Sequence, residues 1–140
     1  MLLAAGLTAA IASGCSSEPV VAPEVCEVVT PAMVDEATGL DPSRGNEVPK
    51  VYEELSGCSF AGNFGYVNVF LAPRGSDYTA EDPGATVTEI SIDGVDLAVI
   101  NTAGDRIYFN TGPYYGWVAS LGIPSEDLAA LVAIISDEIT

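Results

Sequence analysis

The sequence predicts an α+β domain: an antiparallel sheet of four to six strands packed on a C-terminal amphipathic helix, with a short N-terminal helix, begun at Pro31, disulfide-linked to the sheet through Cys26 and Cys58. Three observations carry that prediction. Segments of alternating apolar and polar residues, bounded by Gly, Asn and Asp, recur between residues 58 and 119. Leu128, Leu131, Val132, Ile135 and Ile139 repeat at helical spacing near the C-terminus. Thr30 followed by Pro31 marks a helix start before the first strand.

The chain opens with an apolar run over residues 2–12 that leads into Ser13, Gly14 and Cys15, followed by Ser16, Ser17, Glu18 and Pro19. An apolar core of about 7–15 residues before small residues is a secretory leader, too short to span a bilayer. The cysteine that follows reads as a lipobox. Ala12 stands where leucine is favoured, and no Lys or Arg precedes Arg44, so a start upstream of Met1 is expected. The expected organisation is a lipoprotein signal peptide over residues 1–14, a flexible tether over 15–24 and a single domain over 25–140. The expected location is the extracytoplasmic face of the cell membrane, with acyl chains such as palmitate on Cys15 as the anchor. After residue 15 no apolar run approaches the roughly 20 residues of a transmembrane helix. A plain secretory signal, or a retained apolar N-terminus, is the alternative reading of the leader.

Within the domain, Thr30 is the expected N-cap and Pro31 the first helical residue, Val29 and Val34 have the spacing of a hydrophobic staple, and Gly39 ends the helix. Residues 40–57 read as a loop with short strand pieces. Cys58, Ser59 and Phe60 open a strand, Gly62 and Asn63 turn it, and residues 66–71 return. Val67, Val69 and Leu71 share the core-facing parity, with Asn68 opposite. Residues 73–84 read as a mobile surface loop. Asp93-Gly94 is the strongest short hairpin signal, joining amphipathic arms over 86–92 and 95–100. Strands over 106–110 and 114–119 follow. The last helix starts with Ser125 as the expected N-cap and acidic residues in its first turn.

Charge narrows the partners. Twenty Asp and Glu against four Lys and Arg give a formal net charge of −16. Phosphate recognition needs a basic face, so nucleic acid is excluded. Acidity on this scale reads first as solubility and second as cation binding. It also holds the domain away from anionic headgroups. The cysteines number three, an odd count. Lipidation at Cys15 leaves Cys26 and Cys58 as a natural disulfide pair in an oxidising compartment. The alternative is two buried free thiols.

The chain contains no histidine. That removes the commonest general base, the Ser-His and Cys-His nucleophile systems and most zinc sites. Gly62, Asn63, Phe64 and Gly65 lack a phosphate-binding lysine and a following helix, and read as a turn. Asp93 and Asp96 would chelate calcium or act as acid and base only if the fold brought another acid near, and no calcium-loop pattern is present. No catalytic residue, metal or cofactor is assigned. Tyr108, Phe109, Tyr114, Tyr115 and Trp117 are the one concentrated aromatic feature. Packing is the first reading for Phe109 and one face of Tyr115 and Trp117. If exposed, Tyr114, Tyr115 and Trp117 form a ligand or partner surface.

The run Cys26, Glu27, Val28, Val29, Thr30, Pro31, a short helix ending near Gly39, and Cys58, Ser59, Phe60 opening a strand resemble a family of small actinobacterial lipoproteins carrying a domain of unknown function. That family opens on Cys-x-Leu-Leu-Thr-Pro and carries a later Cys-x-Phe or Cys-x-Trp. The resemblance implies an extracytoplasmic, disulfide-bonded α+β domain and transfers no catalytic residue. The functional expectation is a non-enzymatic binding or accessory module of the cell envelope, whose partner is an envelope protein or small ligand. A carboxylate-based hydrolase and a calcium-responsive module are the alternatives.

Overall fold

The computed structural model describes residues 20–75 and 86–140. The expected signal peptide, the lipidation site Cys15, the first half of the tether and most of the loop over 73–84 lie outside them. Within them the chain runs α1 (Val25–Val28), α2 (Pro31–Thr38), β1 (Gly45–Glu47), β2 (Ser56–Ala61), β3 (Tyr66–Pro73), β4 (Val87–Ile90), β5 (Leu97–Asn101), β6 (Arg106–Thr111), β7 (Tyr114–Leu121) and α3 (Ser125–Ile139). The strands form one antiparallel sheet in the order β1-β2-β3-β7-β6-β5-β4. Two meanders therefore meet at its centre. After β3 the chain leaves for the far edge and winds back strand by strand, until β7 pairs with β3 over the full length of both.

The sheet has seven strands, against the four to six expected. The addition is β1, three residues reading Gly-Asn-Glu, which lack the β-branched and aromatic types that mark a strand. Register with β2 creates it, Gly45 facing Phe60 and Glu47 facing Cys58. Glycine is required at 45, where a Cβ would lie 2.5 Å from the Cys58 sulfur.

All three helices among the described residues lie on one face of the sheet. α3 crosses β6 and β7, α2 packs on α3, and α1 sits over β1 to β3. Leu128, Leu131, Val132 and Ile135 are fully buried, and against them lie Val67, Val69 and Leu71 with the parity read from the sequence, joined by Ile107, Phe109 and Val118. At about 1.5–3 kcal/mol for each buried large apolar side chain, this layer is the principal source of stability. Ser136 and Thr111 are buried within it; their hydroxyls lie 2.5 Å apart, and Ser136 donates to the Gly94 carbonyl at 2.9 Å. That chain of bonds ties α3 to β6 and to the turn at Asp93-Gly94.

Helix ends follow their local chemistry, with one exception. The Thr30 hydroxyl accepts from the Met33 N–H, and Gly39 takes the left-handed conformation at φ +69°. Ser125 is not the N-cap of α3: that position is Pro124, and no side chain caps the helix. Asp93-Gly94 does form a turn, closed by the Val95 N–H donating to the Ile92 carbonyl. Only Gly94 has positive φ there, so the turn is not the type I′ that continues a hairpin ladder. The strands splay and pair one residue out of the simple register, Ile90 facing Ala98. Ala98 is then buried, while Leu97 is turned to the other face and is largely exposed.

Cys26 and Cys58 are disulfide-bonded, with their α-carbons 5.2 Å apart. The expected link from the short Pro31 helix is instead made from α1, a separate single turn before it. The bridge fastens the start of the domain to a buried strand. For a bridge spanning 32 positions, loop entropy predicts about 3–4 kcal/mol of stabilisation. A Cys26→Ser, Cys58→Ala double variant should lose that much in urea unfolding and shift the midpoint to lower denaturant accordingly. A loss under 1 kcal/mol would show that the bridge constrains little.

Candidate functional site

The second face of the sheet carries no helix among the described residues. Register assembles it row by row. One row runs Gly57, Phe70, Trp117, Tyr108, Val99 across β2, β3, β7, β6 and β5. Beside it runs Ser59, Asn68, Ala119, Arg106. Phe70 and Trp117 stack at 4.7 Å between ring centroids and 20° between planes, and Tyr115 tilts against Trp117 at 6.0 Å. Such pairs add about 0.5–1.5 kcal/mol beyond the area they bury. Gly57 permits the stack, since a Cβ there would lie 2.6 Å from the Phe70 ring.

The segment after β1 crosses this face. Val48 donates its N–H to the Gly57 carbonyl, extending the ladder, and Leu55 is buried beside Tyr108 and Trp117. Between this segment and the sheet is a cleft of about 330 Å³. Its floor is Asn68, Ala119 and Arg106, its inner wall Phe70 and Trp117, and its outer wall residues 48–52 and Leu55. On that outer wall Val51 is 82% and Tyr52 48% exposed. The volume lies at the lower end of the range that takes small ligands. Ala119 makes the space: a small residue stands between two larger polar neighbours.

Asn68 is the polar group at issue. Its Oδ1 is buried without a hydrogen-bond partner, the single such side-chain atom among the described residues. A buried acceptor with no donor costs about 1–3 kcal/mol. The carboxamide has a broad torsional profile about χ2, so it turns readily toward a donor that enters the cleft.

The cleft's outer wall is fixed from the N-terminal side. Lys50 Nζ donates to Glu24 Oε1 at 2.9 Å, the Ser56 hydroxyl donates to Glu24 Oε2 at 3.1 Å, and the Val25 N–H donates to Ser56 Oγ at 2.9 Å. The Lys50 hydrogen bond, then the Ser56 one, holds the Glu24 carboxyl below the usual carboxylate range. The same bond with Glu24 holds Lys50 above the ordinary amine range.

The aromatic residues singled out in the sequence divide. Tyr115 and Trp117 share the helix-free face, Trp117 only 4% exposed as the cleft wall. Tyr114 faces Pro73 and Thr111 across the ladder and so lies on the helix side. Asp96 accepts from Arg74 at 2.7 Å and from the Gly112 N–H at 3.1 Å. Asp93 lines a separate surface depression beside the end of α3. No group of three metal-ligating side chains gathers among the described residues. Asn68, Phe70, Arg106 and Ala119 were not flagged by their types; the one available signal was strand parity, which puts Asn68 and Phe70 opposite the core. No described helix is long and apolar enough to cross a membrane. No protein-family model, curated protein or solved structure matches the chain.

Two predictions follow from these contacts. Asn68→Leu removes the unpartnered acceptor while keeping its approximate shape, and should raise stability by about 1 kcal/mol in urea unfolding; a loss would mean that Oδ1 is well satisfied. Glu24 binds fewer protons folded than unfolded, so its contribution is complete above its unfolded pKa and disappears as pH falls through the folded one. Glu24→Gln should therefore flatten part of the acid limb of the stability profile and leave neutral-to-alkaline slopes dominated by other groups. An unchanged acid limb would rule out that linkage.

Proposed function

We propose that this chain is a lipid-anchored, extracytoplasmic binding module and that the cleft on the helix-free face is its ligand site. The observation that carries the second part is the cleft itself: aromatic wall, small-residue floor and an acceptor whose hydrogen bond is unmade. Supporting the first part are the apolar leader before Cys15, the tether after it and the disulfide between the two remaining cysteines. The resemblance to small actinobacterial lipoproteins of unknown function adds to that location.

Binding is favoured over hydrolysis by the lining. No Asp or Glu is among the described residues that line the cleft itself, so the paired acids that a histidine-free hydrolase needs do not face into it. Carboxylates elsewhere serve structure, as Glu24 and Asp96 do.

Trp117 is the sole tryptophan, so its emission reports on this cleft alone. A small-molecule extract of the native envelope should shift that emission and raise the melting temperature. Ala119→Leu, which fills the floor, should abolish both responses while leaving the protein folded. A wild-type protein unresponsive in both measurements would reject the cleft as a ligand site. Mass spectrometry of the mature protein tests the anchor: acyl mass on Cys15 is expected, and an unmodified N-terminus would reject it.

A further inference from the structure

Two groups of exposed large apolar side chains stand at opposite ends of β3. Near its Pro73 end are Val20, Val21, Val51 and Tyr52; at its Tyr66 end are Phe64, Tyr66 and Leu121. The first group is gathered around Lys50. That residue precedes Val51 in the chain, bonds to Glu24 just after Val20 and Val21, and lines a surface depression with both valines and Pro73. The second group is a cross-strand pair, Tyr66 facing Leu121, with Phe64 in the adjoining turn. Apolar character alone does not separate the two.

The tether does. Val20 stands five residues after Cys15, and five steps of chain reach at most about 18 Å. A domain of this size is about 35 Å across. An acyl anchor on Cys15 thus keeps Val20 and its neighbours within reach of lipid in every orientation of the domain, whereas Phe64, Tyr66 and Leu121 come within reach only if the domain lies flat. From this we infer that Val20, Val21, Val51 and Tyr52 form a second contact with the bilayer, at the level of zwitterionic headgroups. The inference rests on the proposed anchor at Cys15 and adds the face that the domain turns to the membrane.

The side chains suit that depth. Tyrosine favours the membrane interface, its ring at the apolar margin and its hydroxyl among the headgroups, and the three valines leave water without needing a polar partner. Charge selects the lipid. Lys50 is compensated by Glu24, Glu47 and Glu53 also act on it, and Glu54 stands beside them, so carboxylates rim the patch. At contact distance an anionic leaflet repels that rim, and zwitterionic headgroups do not. So small a patch suffices because the anchor has already supplied proximity: an affinity too weak to hold a free protein still orients a tethered one. Val51 and Tyr52 line the cleft as well, so the same contact sets the mouth of the cleft at the lipid surface.

The test uses the isotope-labelled mature protein with its own acyl chains, inserted in phosphatidylcholine nanodiscs that contain a trace of lipid bearing a gadolinium chelate on its headgroup. Paramagnetic relaxation of the backbone amides then reads their distance from the lipid surface. Enhancements at residues 20–22 and 50–53 should exceed those at 64–66 by about tenfold or more, because the effect falls with the sixth power of distance and the ends of β3 are about 23 Å apart. Val51→Asp, at the most exposed of the four side chains, should cut the enhancement at 50–53 several-fold while the melting temperature by circular dichroism stays unchanged. Replacing part of the phosphatidylcholine by phosphatidylglycerol should lower it as well. Equal enhancement at the two ends of β3, or a larger one at 64–66, would overturn the inference, as would a profile that Val51→Asp leaves unaltered in a folded protein. Intact mass separates the two readings: acyl mass on Cys15 with no preference between the ends overturns the membrane face alone, and absence of acyl mass removes the anchor and this face with it.

Discussion

The ladder between β3 and β7 is the constraint on which the rest of the structure depends. It is where two meanders meet, eight residues of each strand in register from Tyr66 facing Leu121 to Pro73 facing Tyr114. One face of that seam contributes Val67, Val69, Leu71 and Val118 to the core under the helices. The other brings Asn68 beside Ala119 and Phe70 beside Trp117. Core and cleft are thus two faces of one pairing. Gly116 is fixed by it: a Cβ there would lie 2.6 Å from the Phe70 carbonyl and 2.8 Å from Leu71 and Phe109. A slip of one residue would exchange the faces, burying Asn68 and exposing Val69.

The N-terminal end of the domain is held twice, and the two attachments act on different faces. The disulfide ties α1 to β2 on the helix side. Glu24, one residue before α1, reaches Lys50 on the outer wall of the cleft and Ser56 at the start of β2. The covalent link resists unfolding whatever the solvent. The ionic one is half exposed, screened by salt and worth little in stability, but it fixes where residues 48–55 stand over the sheet. The chain's entry point and the wall of the cleft are thus in direct side-chain contact.

Local signals made much of this fold legible. Thr30-Pro31, Gly39, the alternation of Val67, Val69 and Leu71, and the apolar stripe of α3 each declare their structure through nearest neighbours in sequence. The misreadings arise where partners are distant. Gly45, Asn46 and Glu47 become a strand only because β2 offers its edge and the Cys58 sulfur excludes a side chain at 45. At Asp93-Gly94 the turn was legible and the register was not, because Ser136 and Thr111 bind the Gly94 carbonyl and set the turn against α3. The cleft was barely legible. Its aromatic wall stands out in the sequence as a cluster, but the floor is Asn68, Ala119 and Arg106, three residues with no common motif that meet across strands far apart in the chain.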